Sequence, residues 1–199
     1  MRTHSDPPAT GLFFGSFNPI HNGHVAIARY MLDAGHCEEV WFVVSPRNPL
    51  KEERDLLPEQ ARLEIVKAAI DADPRMRACD IEFSMPRPSY TYLSLERLSS
   101  LHPDRPFLLI IGGDNFLHFN EWREYRAILL RYPLLVYPRP GVLLPPPPSP
   151  SVTLTDAPLL PLSSTDIREK IARGEEISRL VPPTALPLIK RHYGARGKG

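Results

Sequence analysis

Two histidines, His21 and His24, stand three residues apart directly after Gly15-Ser16-Phe17-Asn18-Pro19-Ile20. That spacing sets both imidazoles on one face of a helix. The apolar run Leu12-Phe13-Phe14 precedes the segment and Val25–Leu32 follows it, so the stretch reads as the turn from a first strand into a first helix. Such a turn brings backbone N–H groups and the positive end of a helix to a ligand, and both favour phosphate. Pro19 suits the approach to a helix, where a missing N–H costs nothing, and Asn22 is the expected N-cap. The chemistry indicated is the binding of a polyphosphate. The competing reading is a histidine pair that only caps the helix or ligates zinc. Zinc asks for further ligands, and neither Cys37 nor Cys79 has ligand spacing. The chain carries no Gly-x-x-x-x-Gly-Lys-Ser/Thr loop and no Gly-x-Gly-x-x-Gly fingerprint, which sets it apart from other nucleotide binders.

A second group of polar residues, Leu162-Ser163-Ser164-Thr165-Asp166-Ile167-Arg168, has the marks of a helix start, with Pro161 upstream and hydroxyls at the cap. Ser163, Ser164 and Thr165 can donate to phosphate oxygens, and Arg168 can offer them a two-pronged fork. Taken singly, the hydroxyls are equally explained as caps and Arg168 as a solvated side chain. Together with the histidine pair they bracket a triphosphate from two helix ends. Asp166 should point outward as a first-turn carboxylate. A third loop, Ile111-Gly112-Gly113-Asp114, lets the backbone approach a ligand closely. Asp114 either accepts from ribose hydroxyls or caps the short helix that follows.

The elements that must position these groups alternate along the chain. Strand-like runs lie at Leu12–Phe14, Val40–Val44, Phe107–Ile111 and Leu134–Tyr137, with weaker ones at Met76–Asp80 and Val152–Leu154. Helical patterns cover Val25–Leu32, Pro58–Ala72, Tyr92–Leu101, Glu121–Leu130, Thr165–Ala172 and Pro183–His192. The alternation predicts an α/β fold, a Rossmann-like, doubly wound, mostly parallel sheet with helices on both faces. In the strand order 3-2-1-4-5, the loops after the first and fourth strands would meet at the switch point.

The 199 residues suit a single domain with a sizeable core. A formal net charge of +1 argues against nucleic acid as the main partner. No apolar run reaches the ~20 residues of a membrane span, and the N-terminus lacks a signal-peptide layout. Two cysteines without a framework fit a reducing cytoplasm. Proline is the outlier, at 24 residues, far above the usual ~5%. Much of the excess lies in a Pro-rich loop at 142–151, read as a stiff extended connection.

His-x-Gly-His after Gly-x-Phe-x-Pro resembles the signature of the nucleotidylyltransferase superfamily. The second motif resembles the Ile-Ser-x-Thr-x-Ile-Arg segment of one branch, the nicotinate mononucleotide adenylyltransferases, with Leu162 in place of the first Ile. Further segments match that branch in order. They are Ser45–Lys51, Pro88-Ser89-Tyr90-Thr91, Trp122-Arg123-Glu124-Tyr125 (where the family often has Tyr at the position of Arg123) and Tyr137-Pro138-Arg139-Pro140-Gly141. The proline tract at 145–150 matches nothing the motifs require.

The resemblance implies that ATP and nicotinate mononucleotide give nicotinate adenine dinucleotide and pyrophosphate. The acceptor phosphate attacks the α-phosphorus in line, with no covalent enzyme intermediate. The work is then alignment of two anions and screening of the departing charge. His21, His24 and Arg168 take the catalytic roles. Gly15, Ser16, Phe17, Gly112, Asp114, Ser164 and Thr165 join them in binding ATP. Lys51, Thr91, Trp122, Arg123 and Arg139 are assigned to nicotinate mononucleotide, with Trp122 stacked on the pyridine ring. Donors near Thr91 would select the acid over the amide. Mg²⁺ would accompany ATP, held mainly by phosphates and water rather than by protein ligands. The partners are small molecules, with neither nucleic acid nor membrane, and a homo-oligomer is compatible with the sequence. The alternatives are a pantetheine-phosphate adenylyltransferase and a non-catalytic nucleotide-sensing protein of the same fold. The first usually has a shorter chain without the Ser-Ser-Thr and Trp segments. The second would be expected to have lost a phosphate-contacting group.

Overall fold

The computed structural model describes residues 9–46 and 56–194. Six strands form one sheet: β1 (Thr10–Gly15), β2 (Glu39–Val44), β3 (Met76–Cys79), β4 (Phe107–Gly112), β5 (Leu134–Tyr137) and β6 (Val152–Leu154). Their order is β3-β2-β1-β4-β5-β6 and every pairing is parallel, which is the expected doubly wound arrangement extended by one edge strand.

Both faces are covered, so the central strands can be apolar at every position. Successive residues of β4 show the division: Leu108 and Ile110 point into one core, Leu109 and Ile111 into the other. The first core is closed by α1 (Asn22–Asp33), α2 (Glu59–Ile70), α6 (Ser164–Ala172) and α7 (Leu186–Gly194), through residues such as Ile27, Val66, Ile167 and Ile189. The second is closed by α3 (Thr91–Leu101), α4 (Gly113–Leu117) and α5 (Tyr125–Arg131), through Leu95, Leu98, Phe116 and Ile128.

Two local expectations are corrected. Asn22 is the first residue of α1, and the N-cap is His21, whose backbone is extended (φ −143°, ψ 171°). The single helix expected over Glu121–Leu130 is broken. A 3-10 turn spans Phe119–Glu121, Trp122 is extended, and Glu124 adopts the left-handed conformation (φ 57°) before α5 begins at Tyr125. A residue in that conformation cannot lie inside a right-handed helix.

Parallel neighbours require a crossover, usually a helix. Between β5 and β6 the crossover is the proline-rich segment, which contains no helix. Leu144 turns in from it, close enough that a Cβ on Gly113 would lie 3.1 Å from Leu144 Cδ2. Leu143 stays almost fully exposed.

Candidate functional site

β1 lies between β2 and β4, so the strand order reverses there and the loops leaving β1 and β4 face one crevice. The first loop runs from Gly15 into α1 and carries a cis Asn18–Pro19 bond. Phe17, at φ 45°, turns its ring into the core, where it meets Phe13 and Phe42. The residue is 2% exposed, so its side chain is not available to a ligand. The rings of His21 and His24 stack with centroids 3.7 Å apart. His24 is also met edge-on by Phe13 and Phe17, at 5.9 and 5.2 Å between centroids. The glycine between the histidines has a steric reason, since a Cβ there would lie 2.9 Å from His21 Nδ1.

The backbone N–H of His21 donates to His24 Nδ1 at 3.2 Å. Accepting there assigns the His24 proton to Nε2, where it can be donated to a ligand. Burial holds both imidazoles neutral. His21 is lowered to about 4 by burial and then by the Arg139 guanidinium, with Asp166 acting in the opposite sense. His24 is held well below its ordinary value by burial, then by His21 and Arg139. Among the described residues, Nδ1 of His21 is buried without a hydrogen-bond partner.

The second motif closes on the first. Ser163 caps α6 by accepting from the Asp166 N–H at 3.1 Å, and Asp166 is exposed as expected. Ser164 Oγ donates to the Pro19 carbonyl at 2.9 Å, and Arg168 Nη1 donates to the Asn18 carbonyl at 2.9 Å. These groups therefore hold the histidine loop as well as facing the crevice with it. Thr165 is exposed, with its Oγ1 3.4 Å from Arg168 Nη2. The helix start of α1 is itself fastened, because Asn22 donates its backbone N–H to Leu180 and its side chain to Arg179, at 2.9 and 3.0 Å.

On the β4 side, Asp114 lies in the first turn of α4, whose N-cap is Gly112. Asp114 is therefore not the cap, and its carboxylate sits 3.7 Å from Arg139 Nε. A side chain on Gly112 would collide with that carboxylate and come within 3.1 Å of the Tyr137 hydroxyl. Arg139, assigned from sequence to the acceptor, lies where its charge acts on both imidazoles. Its position is thus at the junction of the two loops.

Three further residues that the sequence assigns to the acceptor, Thr91, Trp122 and Arg123, form a separate group. Thr91 opens α3, and Tyr90 before it lies under the Arg123 guanidinium, 4.8 Å from ring centre. That contact brings the Trp122–Arg123 segment to the start of α3. Trp122 is half-buried against Phe119, with centroids 5.2 Å apart. Lys51 lies outside the described residues.

Sequence reasoning missed three residues here. Asn18 Oδ1 accepts from the Leu57 N–H at 3.2 Å and from the Tyr193 hydroxyl, which ties α7 to the histidine loop. Arg62 is fully buried beneath the two strand ends. The only sequence signal for it is an arginine inside the apolar pattern Leu63, Ile65, Val66 of α2.

Among the described residues no cluster of three or more His, Cys, Asp or Glu could hold a metal ion. The arrangement instead offers neutral imidazole donors, a guanidinium and two helix starts around one loop, which is suited to an extended anion.

The cytidylyltransferase-like family model matches residues 12–170. The chain is 46% identical over 185 residues to a protein of Bacteroides fragilis named probable nicotinate-nucleotide adenylyltransferase, covering 90% of each. It is also 46% identical over 192 residues to a protein of the same name from Cytophaga hutchinsonii, covering 92% of this chain and 97% of the relative. Among solved structures, the nicotinic acid mononucleotide adenylyltransferase of Plasmodium falciparum, complexed with NaAD, shares the fold. Its TM-score is 0.80 at 20% identity, over 94% of this chain and 98% of the other.

Proposed function

The chain belongs to the nicotinate-nucleotide adenylyltransferase family, and we propose that its crevice performs that family's reaction with the residues assembled above. The reaction transfers the adenylyl group of ATP to nicotinate mononucleotide, giving nicotinate adenine dinucleotide and pyrophosphate in NAD biosynthesis. One observation carries the assignment: α6 and the histidine loop are hydrogen-bonded into a single unit through Ser164 and Arg168. Two helix starts and the imidazole pair then face one triphosphate.

A phosphate monoester is already an adequate nucleophile, so the protein supplies alignment and charge stabilisation rather than a general base. His24 donates from Nε2 to the phosphate undergoing transfer. His21 supports it from the stacked position, and Arg168 and Thr165 meet the departing pyrophosphate. Gly15, Ser16 and Phe17 contribute backbone, and Gly112 leaves room beside Asp114. Arg139 screens charge between the two substrates. Mg²⁺ would travel with ATP. Imidazoles and guanidinium are poor ligands for that hard ion, and Asp114 already faces Arg139, so phosphate oxygens and water would hold it.

Trp122 offers a face to the pyridinium ring. Thr91 and the amides beside Trp122 and Arg123 offer donors to the carboxylate. An amide NH₂ would oppose donor to donor, at about 1–3 kcal/mol, which corresponds to a preference for the acid of about five- to 150-fold. No described helix is long and apolar enough to cross a membrane. Work in the cytoplasm, where two cysteines without a disulfide framework stay reduced, goes with this reading. Pyrophosphate release measured in parallel with nicotinate mononucleotide, its amide analogue and phosphopantetheine tests the reading. Equal use of acid and amide overturns the account of the pocket, and release with phosphopantetheine alone overturns the substrate.

A further inference from the structure

We propose that Arg62 is a positioning residue for adenylyl transfer, fixing the phosphate loop after β1 against the loop after β2. This rests on the functional reading above. Arg62 sits on α2, wholly buried, and its guanidinium donates four hydrogen bonds to carbonyls from three stretches of chain. Nη1 reaches the Ser16 carbonyl and, at 2.7 Å, that of Ser45. Nη2 reaches Pro46 at 2.8 Å, and Nε reaches Leu57 at 2.9 Å. Ser16 follows β1, whereas Ser45 and Pro46 follow β2, so one planar group spans the ends of two adjacent parallel strands. Ligands of open α/β sheets bind outside those ends.

The arrangement does more than satisfy a buried charge. In a trans peptide the C=O and N–H point in opposite directions. Drawing the Ser16 carbonyl inward to Arg62 therefore turns the Phe17 N–H the other way. A carbonyl that accepts from a cation also polarises its peptide, which makes that N–H a stronger donor. Leu57 is shared as well, since its carbonyl accepts from Arg62 while its N–H donates to Asn18, the residue whose own carbonyl holds Arg168. Arg62 thus connects to both phosphate motifs without facing the substrates. Lysine keeps the charge but not the fork. It cannot reach four divergent carbonyls.

The test is steady-state kinetics of Arg62→Lys beside wild type, at a temperature where circular dichroism shows both fully folded. We expect kcat to fall ten- to a hundred-fold while KM for ATP and for nicotinate mononucleotide each moves less than threefold, the mark of misalignment rather than lost binding. In Arg62→Ala, added methylguanidinium should restore at least tenfold of the lost turnover, and methylammonium should not. Should Arg62→Ala fail to fold, the Arg62→Lys kinetics decide alone. An Arg62→Lys enzyme with wild-type kcat, or one whose deficit disappears once the folded fraction is corrected for, overturns the proposal. Wild type run alongside keeps the two readings apart, because absence of pyrophosphate release from wild type overturns the function rather than the role of Arg62.

Discussion

Replacing His21 with glutamine should flatten the acid limb of the stability curve. The folded protein holds His21 at about 4, by burial first and the Arg139 charge second, against an ordinary 6.5. Below pH 6.5 the unfolded chain therefore takes up a proton that the folded chain refuses. Stability present above that pH is lost as pH falls, and the loss levels off near pH 4, where the folded state also accepts the proton. At about 1.4 kcal/mol per pH unit, His21 alone costs about 1.4 kcal/mol at pH 5.5 and about 3 kcal/mol at its limit. His24 is depressed partly by His21, so the substitution also relieves His24, and that adds to the difference in the same sense. Urea unfolding of both proteins at pH 7.5, 6.5, 5.5 and 4.5 measures it. Carboxylates common to both cancel, so the quantity read is the gap between the two curves, not either curve. We expect that gap to shift in favour of His21→Gln by about 1.4 kcal/mol or more between pH 7.5 and 5.5. Parallel curves over the whole range would refute the claim that the ring is held neutral.

Gly23→Ala should lower the melting temperature, because displacing the buried His21 ring outweighs the up to ~1 kcal/mol by which alanine favours a helix. Pyrophosphate release should also fall at least tenfold, because the new Cβ would lie 2.9 Å from His21 Nδ1 and 3.0 Å from Cε1. Full turnover would show that the stacked ring position is dispensable. Arg168→Lys loses the planar donor to the Asn18 carbonyl, and we expect KM for ATP to rise about tenfold, equivalent to about 1.4 kcal/mol. A large drop in thermal stability with unchanged ATP kinetics would make Arg168 a structural tie only. Trp122→Ala should raise KM for nicotinate mononucleotide much more than KM for ATP, and a defect confined to ATP would remove Trp122 from the acceptor group.

The parts of the site that sequence reveals are those carried by local patterning. The strand-turn-helix grammar around His21 and His24 locates the loop, and alternation along the chain indicates the doubly wound class, in whose order 3-2-1-4-5 β1 stands beside β4. The parts it hides depend on backbone conformation or on distant partners. Nothing in the apolar spacing of Glu121–Leu130 marks Glu124 as left-handed, so that spacing sets Trp122 on a helix that begins only at Tyr125. Arg139 opens an Arg-Pro-Gly turn that the sequence assigns to the acceptor, and only the fold places its charge beside both imidazoles. Arg62 is invisible for a different reason. An arginine in a helix normally signals solvent, and here four carbonyls belonging to residues 5 to 46 positions away replace that solvent.

The tie between the histidine loop and α6 also sets a timetable for the chain during synthesis. The hydrogen bonds from Ser164 and Arg168 span 145 and 150 residues, and the one from Tyr193 to Asn18 spans 175. The loop at residues 15–24 leaves the ribosome well before the groups of α6 and α7 that fasten it are made. At about 5–20 residues per second, the loop waits roughly ten to thirty seconds for its partners. A nascent chain that has completed β1, β2 and β4 already owns the histidines but not the catalytic geometry. Contacts of such long range also slow folding, because the closure entropy is lost before they form. Adenylyl transfer should therefore appear only after α7 has docked.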